Sequence, residues 1–214
     1  MSAWQERTIE QRNLLNPAFC AIAVWHLARG YRTEATALDS NAGGLPIALA
    51  FVGASLVLRG QTRDQLPRTI TSSLATWVND HPLERSAVAK GVVVLRETVR
   101  EALLFGTQQG LLSFDGQRIE AGSIAARKMN TYLRTSSEEV RDCMHQATFV
   151  GRWLCKAGAP PTVLALASFA ATLGLSARTA VWRQTLRIKS VAANVSSVRQ
   201  RCPSHTSHLP QPAT

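Results

Sequence analysis

Acidic residues run out early in this chain. All 14 Asp and Glu lie at or before Asp142, whereas six of the 24 Lys and Arg follow residue 160. The net charge of +10 is therefore lopsided: 18 cations face 14 acids in the first 160 residues, and six face none in the last 54. Basicity of this kind says little about specificity, because a cationic tail attracts any polyanion. Charge of either sign is also sparse, at 18% against the usual ~25%. Low charge beside 45% hydrophobic residues suits a domain part of whose surface a partner covers.

Cysteine supplies no framework. Cys20, Cys143, Cys155 and Cys202 include no Cys-x-x-Cys pair, and reduced thiols in a cytoplasmic protein are the plain reading. Met1 to Glu10 is polar and unlike a secretory leader. Long apolar runs are lacking too. Leu45–Leu58 is charge-free but short, and Ala157–Ala177 is interrupted by Pro160-Pro161 and Gly174, so both read as buried helices and no membrane contact is expected.

Catalytic signatures are missing. There is no Gly-x-x-x-x-Gly-Lys phosphate loop, no Gly-x-Ser-x-Gly elbow and no His-Glu-x-x-His, so a non-enzymatic chain without cofactor is expected. Cys143 and His145 stand two apart on a predicted helix, where side chains diverge; they read as core and surface, not as a dyad. Cys202, His205 and His208 have loose metal-like spacing but sit in a Ser- and Pro-rich tail, and no metal is expected there. The five Trp (Trp4, Trp25, Trp77, Trp153, Trp182) are scattered, which suits core positions and argues no base-stacking platform.

What is present is helical pattern. Asn16 can cap a helix beginning at Pro17 and running to about Arg29, with Gly30 just past its end. Leu45–Leu58 reads as a second, buried helix ended by Gly60. Thr62-Arg63-Asp64-Gln65 has the capping-box form, with Pro67 near a helix start. The next helix places Ile70, Leu74, Trp77 and Val78 on one face and stops at Asp80-His81-Pro82. Leu83 to about Gln109 is the clearest helix. Val88, Val92, Leu95, Val99 and Leu103 form its stripe, with Arg96, Glu97, Arg100 and Glu101 opposite and Glu97 able to pair with Arg100.

Gly110 then breaks the helix, and Asp115-Gly116 between strand-like runs signals a hairpin over residues 111–119. Long helix followed by hairpin is the order found in winged-helix domains. Ser136 and Glu139 stand in capping-box register for a helix carrying Val140, Met144, Ala147, Phe149, Val150, Trp153 and Leu154, ended by Gly158 and Pro160-Pro161. Thr162–Leu175 reads as a short buried helix. The expected fold class is mainly α with one short hairpin and a winged-helix-like order. The expected organisation is a helical domain over 1–160, a further helical segment over 161–189 and a disordered basic tail over 190–214.

The polar residues with most to offer are Arg7, Arg96, Arg100, Glu101 and Arg152. They suit either solvated helix faces or a surface that docks a protein or a DNA backbone. Gly106 and Gly110 suit either close helix packing or the turn into the hairpin.

A series of marks runs along residues 1–160. It begins with Trp4 and Arg7 and continues through Asn13-Leu14-Leu15-Asn16-Pro17-Ala18-Phe19. Leu45-Pro46, Thr62-Arg63, Leu66-Pro67 and Trp77 follow. Thr98, Arg100-Glu101-Ala102-Leu103, Phe105-Gly106, Gly110-Leu111-Leu112 and Gly151-Arg152-Trp153 complete it. In this order the chain resembles the middle component of the three-component ABC ATPase systems. The resemblance implies a non-enzymatic bacterial subunit, an adaptor between an ABC-type ATPase and a third, effector-bearing component, acting against phage or other foreign DNA. DNA contact would come through the complex or the basic tail. It also marks a candidate interaction surface: Trp4, Arg7, Asn13, Asn16, Arg96, Arg100, Glu101 and Arg152. Gly53-Ala54-Ser55 departs from the pattern, and loosened packing is expected there. The acid-free stretch after Asp142 fits a polyanion-binding tail, a shifted reading frame or a degraded C-terminus.

Overall fold

The structure is a computed structural model that describes residues 16–38, 43–123 and 126–166. Its helices are α1 (Pro17–Ala37), α2 (Ile47–Leu58), α3 (Gly60–Asp64), α4 (Leu74–Asp80), α5 (Pro82–Val94), α6 (Arg96–Gln108), α7 (Ala126–Thr135), α8 (Glu138–Lys156) and α9 (Pro160–Leu166). Its strands are β1 (Leu45–Pro46), β2 (Leu112–Phe114) and β3 (Arg118–Ala121). The mainly helical class is as expected; the small sheet has three strands instead of a lone hairpin.

α1 starts as its local sequence dictates, with the Asn16 side chain accepting from the Ala18 N–H at 2.9 Å and Pro17 at the first position. It does not stop at Arg29. It runs through Gly30 to Ala37, and Gly30 is no cap. A Cβ at Gly30 would meet the Thr148 carbonyl of α8, and one at Gly151 of α8 would meet the Leu27 carbonyl of α1. The two glycines let two long helices cross with their backbones in contact, which no other side chain permits. Around this crossing α1 is buried on most sides, from Cys20 to Ala35, as befits a helix at the centre of the core.

α2 is almost entirely buried. Its small residues tighten packing where looseness was expected. Leu27 lies where a Gly53 side chain would point, Ala54 is 1% exposed, and the Ser55 hydroxyl donates to the Val88 carbonyl of α5 at 2.9 Å. Gly60 opens α3 instead of ending α2. The capping-box reading of Thr62–Gln65 also fails, because Thr62 and Arg63 are buried inside α3. No helix begins near Pro67; α4 starts at Leu74 under the cap of Ser73, which leaves Ile70 before it.

The long helix divides at Leu95 into α5 and α6. The stripe survives, with Val88, Val92, Val99 and Leu103 all buried, but its two halves cover different neighbours: α5 packs on α2, and α6 packs on α1. The β-branched run Val92-Val93-Val94 favours the division, since it is a weak helix former.

β3 is the central strand, in the order β1-β3-β2. Leu45 pairs with Ile119, and Pro46, which has no N–H to donate, sits on the edge strand. The hairpin is present, but its tip lies one residue later than Asp115-Gly116. The Asp115 N–H donates to the Arg118 carbonyl at 3.2 Å, leaving Gly116-Gln117 at the tip with Gly116 at φ +102°. The Asp115 carboxylate accepts from the Gln117 and Arg118 N–H groups, both at 2.7 Å. That side-chain satisfaction of the turn shifts the register.

α7 was not anticipated. The Ser136 hydroxyl donates back to its Tyr132 carbonyl, and the cap of α8 is Ser137, not Ser136. α8 then presents Cys143, Met144, Ala147, Val150, Trp153 and Leu154 to the core and ends before Gly158 at φ +108°. α9 covers the start of the helix expected over Thr162–Leu175; the rest of that helix and the tail lie outside the described residues. Among the described residues, no helix is long and apolar enough to cross a membrane.

Candidate functional site

Several residues marked by the sequence are structural. Arg152 on α8 places its Nε 3.0 Å from the Glu34 carboxylate of α1. Glu34 is 5% exposed, and a buried carboxylate needs a cation partner, so Arg152 locks the α1–α8 crossing made by Gly30 and Gly151. Its neighbour Trp153 is buried, donates from Nε1 to the Ser72 carbonyl at 2.7 Å and stands edge-on to Trp77. Trp77 in turn donates to the Gln65 carbonyl at 2.7 Å. The whole Gly151-Arg152-Trp153 mark is thereby accounted for by packing. Trp25 is buried as well, and its Nε1 donates to the Gly122 carbonyl at 3.0 Å.

Arg63 is the functional-looking residue whose role sequence reasoning missed. Its side chain is 6% exposed and bonds outward in three directions. It donates to the Val57 carbonyl near the end of α2 at 2.8 Å, to Asp142 at 3.3 Å and to Glu139. One guanidinium joins α3, the end of α2 and the start of α8. Its fork of donors allows this where a lysine would not. A Thr-Arg dipeptide at a short helix gives no local signal of such burial.

The remaining marks divide between two ends of α1. Asn16 caps its start, near the cluster of Cys20, Ala21 and Ala102 against which Phe105 packs. Glu101 lies on the same side, where its charge adds to the burial that pushes the Cys20 thiol up to about 12. Arg152 meets Glu34 some 18 residues further along, about 27 Å away at 1.5 Å per residue. The structure thus brings Asn16 and Glu101 to one end and places Arg152 at the other. Gly106 has Leu112 and Ala21 around it and serves close packing, while Gly110, at φ +68°, makes the turn into the hairpin. Trp4, Arg7 and Asn13 lie outside the described residues.

What stays open is the α5–α6 side. Arg96 opens α6, and Arg100 donates to Glu97 at 2.9 Å, as the spacing predicts. Arg96, Glu97, Arg100 and Glu101 thus bring two charges of each sign to α6. Just before them Val93 and Val94 are 50% and 76% exposed. Sequence periodicity hid these valines inside the run that starts at Val92.

No nucleophile is prepared among the described cysteines. Burial pushes the Cys143 thiol up to about 11, and the same cause raises Cys155. Cys143 faces the Val57 carbonyl while His145 is exposed, so the two diverge as expected. No group of three His, Cys, Asp or Glu side chains converges among the described residues; Cys202, His205 and His208 lie outside them. His26 is buried, its ring 3.1 Å from the Thr148 hydroxyl. Burial first, then the charges of Arg29 and His145, lowers its pKa to about 4.

The pattern of the ABC-three component (ABC-3C) system Middle Component 3 family matches residues 4–169. No curated protein and no solved structure matches the chain. The family match spans well over half of the sequence, and the chain belongs to that family.

Proposed function

We propose that this member of the ABC-three component system Middle Component 3 family is a non-catalytic adaptor. It links an ABC-type ATPase to a third, effector-bearing component in the bacterial cytoplasm, in defence against phage or other foreign DNA. The observation that carries the reading is the family match over residues 4–169. The α5–α6 face supports it, since exposed Val93 and Val94 beside a charge-balanced helix suit a protein partner better than a polyanion. Co-expression with the genes flanking this one, followed by tagged purification, tests it. A stoichiometric ATPase in the eluate is expected; two separate gel-filtration peaks for the pair would overturn the reading.

A free-standing winged-helix DNA-binding protein is the second reading. It is favoured by α6 feeding directly into the hairpin, with β1 as a third strand beside β3. Against it stands the pairing of Arg100 with Glu97, because phosphate neutralisation requires uncompensated cations. Reversing Arg96 and Arg100 to Glu should abolish salt-dependent duplex binding if α6 contacts DNA. If only deletion of residues 176–214 abolishes it, a nonspecific polycation was responsible.

A further inference from the structure

The groove where α3, α4 and α5 meet takes no part in the adaptor reading. Asp64 stands on one wall and Asp80, Leu83 and Glu84 on the other, around a volume of about 480 Å³ with no Lys or Arg among the described residues of its lining. Leu83 is 82% exposed, the most exposed large hydrophobic side chain among the described residues. Glu84 is already engaged, accepting from the Thr62 hydroxyl at 2.7 Å and lying 3.6 Å from Arg59. Asp64 and Asp80 are exposed, and no ion pair within the described residues uses them. The groove therefore offers an apolar anchor point with two uncommitted negative charges, and it fits a segment that alternates large apolar side chains with cations.

The chain itself carries such a segment. Trp182-Arg183-Gln184-Thr185-Leu186-Arg187-Ile188-Lys189 holds three cations, with no acid anywhere after Asp142. α9 delivers the chain to the right place, since it packs on α2 and α4, with Val163 beside Leu74, Trp77 and Val78. Asp80, the last residue of α4, borders the groove. Fifteen residues lie between Leu166 and Trp182, and even wound as a continuous helix that length of chain spans about 24 Å. α4 is only about 10 Å long, so the segment reaches the groove without strain. Because the segment belongs to the same chain, its docking is intramolecular, and a weak contact is enough to fill the groove.

We propose that residues 182–189 dock in the α3–α4–α5 groove of the same chain, with their apolar side chains on Leu83 and their cations on Asp64 and Asp80. Zero-length carbodiimide crosslinking of the dilute full chain, followed by peptide mapping, tests this directly, because Lys189 is the only lysine after Lys156. The expected product is a monomer with Lys189 joined to Asp64 or Asp80. Its yield should fall at least fivefold in an R183E/R187E variant, and should also fall as salt is raised and the charges are screened. The proposal is overturned if Lys189 joins only other carboxylates of the body, or if the variant crosslinks as well as the parent. A crosslink found only in a dimer-sized band would overturn it in favour of a second copy. Lys189 left free on the body and shielded only when duplex DNA is added would overturn it in favour of a nucleic-acid tail. The ATPase co-purification that tests the adaptor reading is a separate measurement, so either idea can fail alone.

Discussion

The α1–α8 crossing and the α5–α6 bend are both helix pairings, built by opposite means. At the crossing, glycine brings backbone against backbone and a buried carboxylate is met by an arginine from the partner helix. At the bend, one helix hands over to the next, two valines are left in solvent, and Arg100 pairs with Glu97 of its own helix. The first arrangement serves folding completely. The second leaves surface that folding does not use, and a docking function is to be sought there even though most family marks lie elsewhere.

The largest effect should come from the crossing. Gly151→Ala pushes a methyl group into the Leu27 carbonyl, and a backbone clash of this kind costs about 3 kcal/mol, the upper end of the usual range for overpacking and a large share of a domain's ~5–15 kcal/mol. Urea unfolding of the variant measures it; a loss below about 1 kcal/mol would show that the helices can separate freely.

Acid should also weaken the crossing, through His26. Its folded pKa of about 4 lies below the ordinary 6.5, so the unfolded chain binds the extra proton first. The His26 contribution is fully present above pH 6.5 and is lost as pH falls towards 4. The loss approaches about 3 kcal/mol, at 1.36 kcal/mol per pKa unit. Unfolding curves at pH 7 and 4.5 should differ accordingly, and His26→Asn should flatten the difference.

Removing Arg152 with Arg152→Ala leaves Glu34 buried without its cation, at a cost of about 2 kcal/mol. Pairing it with Glu34→Gln should recover most of that cost, because no buried charge then remains. Full additivity of the two losses in a double-mutant cycle would show that the ion pair contributes nothing.

The smallest effect on stability belongs to the bend. Val93→Asp with Val94→Asp should change the unfolding free energy by no more than about 0.5 kcal/mol, while abolishing ATPase co-purification. Full retention of the ATPase would move the docking face off the bend.

The sequence by itself determined the helices, the hairpin and the buried character of α1, α2 and α8. Those properties are local: caps at Asn16 and Gly158, periodicity along Val88–Leu103, and Gly with Asp at a turn. Only the tertiary structure decided that Gly30 continues a helix, that Arg63 is a buried clamp and that Arg152 is held by the buried Glu34. It also decided that Leu95 divides one stripe between two neighbours. Each of these depends on which element crosses at that point. A glycine that ends a helix and one that admits another helix are the same letter, as are an arginine in solvent and one facing a buried carboxylate. The exposure of Val93 and Val94 was least legible of all, because it depends on which neighbours α5 and α6 cover.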